Sequence, residues 1–241
     1  VAELKKTEKL QKELLANISH DLKTPIAVIS GYAEMMKDIP EENTKEMNFW
    51  TKDEYMRFSN AVMDKDIVYH AFEVLYWCGI RLGELLALTV EDFDFDKGTL
   101  TINKSLQRHH GENEITSPKT EKSNRTIQMP DFLVQEMKDF ISRNYGMEKD
   151  DRVFQITKNA LHREMTRGSN LAGVKRIRIH DLRHSHVSLL IDMGLSAVAV
   201  ANRVGHESID ITYRYAHLFP TQEKEIAKKL NFEREESNHE N

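Results

Sequence analysis

Phe93-Asp-Phe-Asp-Lys-Gly98-Thr-Leu-Thr-Ile102 is the stretch that decides the fold. Two short runs of aromatic, β-branched and alternating apolar residues flank the turn-forming Asp96-Lys97-Gly98, the pattern of two antiparallel strands. Arg125-Thr-Ile127 repeats the alternation and predicts a third strand. The polar residues between, 107–124, read as a hairpin extension or a loop. Everything around this small sheet has helical texture. Thr51-Lys-Asp-Glu54 has capping-box spacing and opens a helical pattern. Helices are predicted at about 52–64, 66–78 and 82–88 before the sheet. After it they are predicted at about 131–145, 158–171, 180–193, 196–203, 208–218 and 221–232. The order of helices, small antiparallel sheet and helices predicts a mainly α fold with a three-stranded antiparallel sheet, not a doubly wound parallel one.

The chain has 241 residues, 39% hydrophobic and 30% charged, with 39 acidic against 34 basic side chains and a net charge of −5. A uniformly basic nucleic-acid binder is excluded, but a local basic face is not, because phosphates respond to nearby charge. Cys78 is the single cysteine, so an internal disulfide framework is impossible and a cysteine-ligated zinc finger is disfavoured. No run of 18 apolar residues suggests a membrane span. No secretory signal opens the sequence, and a cytoplasmic location is the expectation.

Residues 155–186 hold seven Lys or Arg (Lys158, Arg163, Arg167, Lys175, Arg176, Arg178, Arg183) against Glu164 and Asp181, a local balance of +5. Such a run is usually a solvated face. Here it leads into His180-Asp-Leu-Arg183-His-Ser-His186. His180 and Arg183 are three apart and share a helix face. A proton-exchanging imidazole beside an arginine fork suits phosphoryl chemistry. A metal site built from His180, His184 and His186 lacks carboxylate or cysteine partners at ligand spacing. Cys78-Gly-Ile-Arg81-Leu-Gly-Glu84 sets one arginine in an apolar helical segment, where it needs a carboxylate or phosphate; Glu84, at i+3, is the local candidate. Downstream lie Val204-Gly-His206 and then Tyr213 and Tyr215. Those tyrosines are about 200° apart on a helix, so only one can face a given site.

With these motifs in place, residues from about 47 to 232 resemble the catalytic domain of tyrosine recombinases of the phage-integrase superfamily, in particular integrases of conjugative transposons. The matching stretches are Gly79-Ile-Arg81-Leu-Gly-Glu84, Ser117-Pro-Lys119-Thr, Ile179-His180-Asp-Leu-Arg183-His-Ser-His186, Val204-Gly-His206 and Ile211-Thr-Tyr-Arg-Tyr215-Ala-His-Leu. The resemblance implies a site-specific DNA strand transferase for integration and excision of a mobile element, working through a 3′-phosphotyrosyl intermediate without metal, ATP or other cofactor. It implies Tyr215 as nucleophile, nine residues after His206, a spacing that selects it over Tyr213. It implies Arg81 and Arg183 as clamps on the phosphate, His206 as a hydrogen-bond donor to it, and His180 as general base. Lys119 would be the acid for the leaving oxygen, with Lys122 as the alternative lysine. His184, His186 and His217 are expected to be structural. Lys158, Arg163, Arg167, Lys175, Arg176 and Arg178 are expected to contact the DNA backbone. Expected partners are double-stranded DNA, further recombinase copies in a tetrameric synapse and an accessory directionality protein. The helix at Thr221–Leu230 is expected to dock on a neighbouring protomer or on its own domain.

The first 46 residues have another character. Leu15, Ile18, Leu22, Ile26, Ile29, Ala33 and Met36 form a helical apolar stripe interrupted by Pro25. Leu14-Leu-Ala-Asn-Ile-Ser-His20-Asp-Leu-Lys-Thr-Pro25 resembles the phosphoacceptor box of sensor histidine kinases, with His20 the candidate phosphoacceptor. No ATP-binding domain accompanies it. The expected organisation is a kinase-like dimerisation or phosphoacceptor helix (1–46), a recombinase catalytic domain (47–232) and a disordered tail (233–241). The chain is expected to be chimeric or truncated, lacking the core-binding domain that usually precedes the catalytic one. The alternatives are a DNA-binding domain without catalysis and a phosphotransfer or dimerisation module.

Overall fold

The computed structural model describes residues 48–109, 112–117, 123–144, 146–206, 208–213 and 215, all within the second of two units, Asn48–Asn241. The expected N-terminal helix with His20, Lys119, Lys122, His217, the helix at 221–232 and the tail at 233–241 lie outside the described residues.

Helix α1 (Lys52–Val62) opens on the expected capping box: the Thr51 amide donates to Glu54 Oε2 at 2.8 Å, and the Glu54 amide donates to Thr51 Oγ1 at 3.3 Å. The box satisfies two amide donors that a helix start otherwise leaves unpaired. Its buried face carries Tyr55, Phe58, Ser59 and Val62. Helix α2 (Asp66–Cys78) is apolar nearly all round and runs through the core, as a helix buried on most sides must. It ends at Gly79, whose φ of +62° and amide bond to the Leu75 carbonyl form a left-handed cap. A short helix α3 (Leu82–Ala87) and a 3₁₀ turn (Val90–Asp92) lead to the sheet.

Strands β1 (Phe93–Asp94), β2 (Thr99–Ile102) and β5 (Arg125–Gln128) form the expected three-stranded antiparallel sheet, in the order β1-β2-β5. Phe93 pairs with Leu100 and Leu100 with Ile127, which lines three apolar side chains on the buried face. Between β2 and β5, strands β3 (Ser105–His109) and β4 (Glu112–Thr116) pair as a separate hairpin, Leu106 opposite Ile115. The polar segment thus contains a paired ribbon. Its polarity concealed the strands because little of the ribbon is buried: even within the facing pair, Leu106 is buried and Ile115 is exposed. The ribbon packs on α3, where a Cβ at Gly83 would lie 2.5 Å from Ser105 Oγ.

Helices α4 (Asp131–Arg143), α5 (Lys158–Ala172), α6 (Asp181–Asp192), α7 (Ala197–Val204) and α8 (Ile209–Tyr213) complete the unit. Helix α4 covers α2 on one side, and α6 covers it on another. Helix α5 approaches α1 closely because residue 168 is glycine; a Cβ there would lie 2.5 Å from Val62 Cγ1. Trp50 ties the beginning of this unit to its far end. Its amide donates to Ser185 Oγ at 2.9 Å and its indole Nε1 to the Lys175 carbonyl at 2.7 Å. The mainly helical fold with a small antiparallel sheet is the one expected from the sequence.

Candidate active site

The site is organised by the end of a helix. Helix α7 stops at Gly205, which takes φ +69° and turns the chain so that the carbonyls of its last turn remain available. Arg125 donates Nε–H to the Arg203 carbonyl at 3.2 Å, Arg183 donates Nη2–H to the Val204 carbonyl at 2.6 Å, and Arg81 donates Nη2–H to the Gly205 carbonyl at 3.4 Å. Three guanidinium groups therefore meet three consecutive carbonyls. The negative end of a helix dipole favours cations, so α7 helps hold together charges that would otherwise repel.

One carboxylate does the rest. Glu84 accepts from Arg81 Nη1 at 2.7 Å and from the Arg81 amide at 2.9 Å. It also accepts from Arg125 Nη2 at 3.0 Å and Nη1 at 3.3 Å. Burial alone would raise the Glu84 pKa; the Arg125 hydrogen bonds and charge, with Arg81, outweigh it and hold the carboxyl below its ordinary range. Glu84 is thus the partner that Arg81 requires. Arg81, expected inside a helical segment, instead sits at the helix start in extended conformation (φ −78°, ψ 150°), the position from which its backbone amide can meet the Glu84 carboxylate.

Arg183 is almost wholly buried at 4% exposure, and among the described residues its hydrogen bonds go to the carbonyls of Gly79 (2.8 Å) and Val204. Burial, then the charges of Arg81 and Arg125, push its pKa down to about 9, still cationic at neutral pH. A buried cation held by carbonyls, with no carboxylate hydrogen-bonded to it among the described residues, is prepared for an incoming anion. His206 follows directly after Gly205. Its Nδ1 lies 2.8 Å from the buried Thr212 hydroxyl. Desolvation, then Arg183 and Arg81, lower its pKa to about 3, so the ring is neutral.

His180 caps the start of α6, exposed, with its pKa lowered first by desolvation and then by Arg183. Its ring stands edge-on to His184, centroids 5.1 Å apart at 90°. His184 Nδ1 in turn makes a hydrogen bond with the Tyr215 hydroxyl, and Tyr215 is only 2% exposed. Arg183 and His180 therefore differ in setting: the arginine is inside and the histidine is at the rim. His186 is structural in its contacts. Arg203 donates Nε–H to His186 Nε2 at 3.2 Å, which leaves the proton on Nδ1, and burial pushes the ring's pKa down to about 3. Its ring fills the space beside Gly79, where a Cβ would lie 2.4 Å from His186 Cδ2.

Among the described residues, no group of three His, Cys, Asp or Glu side chains is placed to hold a metal ion. The basic residues expected to form a face divide into two kinds. Arg167 is bound to Asp64 at 2.7 Å and Glu164 at 2.6 Å, and Arg178 to Asp181 at 2.8 Å. Lys158, Arg163, Lys175 and Arg176 are exposed and make no ion pair among the described residues. Arg176 donates to Thr166 Oγ1 at 2.9 Å, and the Lys175 ammonium lies 5.7 Å from the Phe49 ring centroid.

Residues 47–222 match the Phage integrase family. The chain belongs to that family. Residues 10–48 match the His Kinase A (phospho-acceptor) domain. Among curated relatives of the integrase segment, the ICEBs1 integrase of Bacillus subtilis (strain 168) is 29% identical over 222 residues, covering 83% of this chain and 60% of the relative. The integrase of Staphylococcus phage L54a is 26% identical over 224 residues, covering 82% of this chain and 63% of the relative. This chain thus spans about three-fifths of the length of these two integrases. The fold is shared with the Tn1549 transposon integrase (residues 82–397) in complex with circular intermediate DNA, at TM-score 0.60 and 22% identity, covering 72% of this chain and 63% of that one. It is shared as well with the catalytic domain of bacteriophage HP1 integrase, at TM-score 0.55 and 19% identity, covering 77% of this chain and 96% of that one. The family is thus that of tyrosine recombinases, with relatives from conjugative elements and phages.

The sequence does not single out three members of this candidate site. Arg125 was read only as part of a strand, Thr212 as part of a helix, and His184 as structural. The +5 balance of residues 155–186 stops short of Arg125, and nothing in local spacing connects residue 125 to residue 84.

Proposed function

We propose that the unit beginning near residue 47, taken as 47–232, is a catalytic domain that breaks and rejoins double-stranded DNA, with Tyr215 as nucleophile. The observation carrying this reading is the meeting of Arg81 and Arg183 at the carbonyls of residues 204 and 205, beside His206, with the buried Tyr215 hydroxyl joined through His184 to the helix that carries Arg183. Two fixed guanidinium groups would bind the nonbridging oxygens of the scissile phosphate, and their value is greatest where charge grows in the transition state. The Tyr215 oxygen would attack phosphorus, forming a 3′-phosphotyrosyl bond and releasing a 5′ oxygen. Lys119, from the segment after β4, would protonate that oxygen, and His206 would donate a hydrogen bond to the phosphate. No external energy source is needed, because the phosphotyrosyl ester retains the energy of the bond broken.

The exposed Lys158, Arg163, Lys175 and Arg176 would contact the DNA backbone and set register, with Arg167 and Arg178 contributing less because carboxylates already hold them. Integration and excision of a mobile element, a tetrameric synapse of recombinase copies and an accessory directionality protein belong to this proposal. So does a cytoplasmic setting; no helix among the described residues is long and apolar enough to cross a membrane. A second reading, phosphotransfer or dimerisation through residues 1–46 with His20 as acceptor, is favoured by the match at residues 10–48.

A nicked duplex whose cut strand loses a short 5′ fragment traps the covalent adduct. The wild-type chain is expected to form it, as is Tyr213→Phe, whereas Tyr215→Phe and Arg183→Ala do not. DNA retention on a gel with no adduct from the wild type would oppose the catalytic reading. Phosphate transfer to His20 from an added kinase ATP-binding domain would support the second.

A further inference from the structure

The resemblance that gives His180 the general base's role leaves unexplained what His184 does against the phenol. From its place between the Tyr215 hydroxyl and the Asp181 carboxylate, we infer that His184 is a catalytic residue that takes the Tyr215 proton, with Asp181 as its positioning residue. This rests on the proposed strand-transfer reaction and deepens it.

The geometry is a relay across one turn of α6. Asp181 is 1% exposed and is locked by Arg178, whose amide donates at 2.8 Å and whose guanidinium donates at 2.8–3.1 Å. Its Oδ1 lies 3.9 Å from His184 Nε2. That separation is longer than a hydrogen bond, but the negative charge beside Nε2 favours the tautomer of the neutral ring that carries its proton there and leaves Nδ1 as acceptor. Nδ1 is the atom that meets the Tyr215 hydroxyl. The edge-on contact with His180 fixes the ring from its remaining side.

In the step itself, the Tyr215 Oη–H bond breaks as the Oη–P bond forms, and the proton moves to His184 Nδ1. The P–O5′ bond breaks and the 5′ oxygen takes a proton from Lys119. On rejoining, the 5′ hydroxyl attacks phosphorus and gives its proton back to Lys119, the Oη–P bond breaks, and His184 returns the other proton to the leaving phenolate. Nothing is oxidised, and no co-reactant is required.

The groups facing His184 are His180, Asp181 and Arg183 on or at the start of its own helix, Arg178 before it, and His206 and Tyr215 from beyond it. Desolvation first, then His180, Arg178 and Arg183, hold its pKa at about 4, against the upward pull of Asp181. A base so weak would not hold a proton in the empty site. An entering phosphate places negative charge beside the arginines and favours the imidazolium. Substrate therefore turns the base on.

Two measurements test this on the full chain. The first uses negatively supercoiled plasmid as probe, with relaxation rate and detergent-trapped protein–DNA adduct as readouts. In His184→Asn the amide oxygen still accepts from the phenol but cannot take its proton. That variant, shown to unfold at the wild-type urea midpoint, is expected to react about 10²-fold slower or worse at pH 7. Its rate should climb with pH toward the ordinary phenol range near 10. The wild type and His180→Asn should lack that climb. A wild-type rate and profile in His184→Asn, or the climb appearing in His180→Asn instead, overturns the inference while leaving strand transfer by Tyr215 intact. Loss of adduct in Tyr215→Phe tests the underlying reaction separately. The second uses ¹⁵N-histidine spectra with inorganic phosphate as probe. The His184 midpoint is expected to rise by about one unit or more when phosphate is added, with Nδ1 the unprotonated nitrogen before addition. A midpoint that phosphate does not move, or a proton on Nδ1, overturns the inference even if His184→Asn fails to fold.

Discussion

Arg125 and Glu84, forty-one residues apart in sequence, form a two-pronged buried ion pair at 3.0 and 3.3 Å, with both side chains under 8% exposed. The pair joins strand β5 to helix α3 and gives Arg81 its place, because the same carboxylate also binds Arg81. Removing one partner of a buried pair leaves an uncompensated charge and costs about 3–5 kcal/mol. Arg125→Met is expected to destabilise by that order in urea unfolding at pH 7. Glu84 has its folded pKa lowered, so its contribution is complete above the ordinary Glu value near 4.3 and disappears as pH falls through the lower folded value. The stability gap between wild type and Glu84→Gln should therefore narrow below pH 4.

The histidines act in the same direction, over a higher pH range. His184 (about 4), His186 (about 3) and His206 (about 3) are held neutral in the fold by burial first, whereas unfolded histidine titrates near 6.5. Between pH 6.5 and those values the unfolded chain binds more protons, so stability falls as pH falls. Each such group contributes up to about 1.4 kcal/mol per pH unit. Urea unfolding between pH 7 and 4.5 should show a steep loss, and His186→Leu should flatten it.

Gly79 combines φ +62° with a neighbouring imidazole where its Cβ would be. Gly79→Ala is expected to lose about 2 kcal/mol or more, from the left-handed backbone and the displaced His186 ring together. Gly173→Ala is the control: it has the same φ, but nothing lies within 4 Å of its Cβ position, so it should lose only the backbone share, about 1–2 kcal/mol. Thermal unfolding of the two variants measures the difference.

The basic face makes a prediction of a different kind. Each phosphate contact contributes about 0.9 to the slope of log affinity against log salt. Arg163→Ala and Arg176→Ala should each lower that slope by about that amount on duplex DNA. Arg167→Ala should lower it less, because Asp64 and Glu164 already neutralise the guanidinium.

What the sequence made legible follows from how local each signal is. The Thr51–Glu54 box and the Asp96-Lys97-Gly98 turn are short-range devices, and the elements they define stand where spacing put them. The site depends on contacts between residues far apart. Arg81 and Glu84 could be paired at i+3, but Arg125 joins them only through the sheet. Val204 and Gly205 act through backbone carbonyls, which no side-chain motif records. His184 reads as structural because a sequence does not say which of two neighbouring histidines reaches inward. The ribbon at residues 105–116 stays ambiguous because a ribbon that buries few of its side chains carries little apolar pattern.

The central claim is that Tyr215 becomes covalently joined to DNA. The most direct measurement is to incubate the full chain with supercoiled plasmid, quench in detergent, digest both polymers and map the nucleotide-bearing peptide by mass spectrometry. The account predicts one modified residue, Tyr215, joined to a 3′-phosphate, and none in Arg183→Ala. A nucleotide on Tyr213 or on any other side chain, or a relaxed plasmid with no linked peptide, would contradict it.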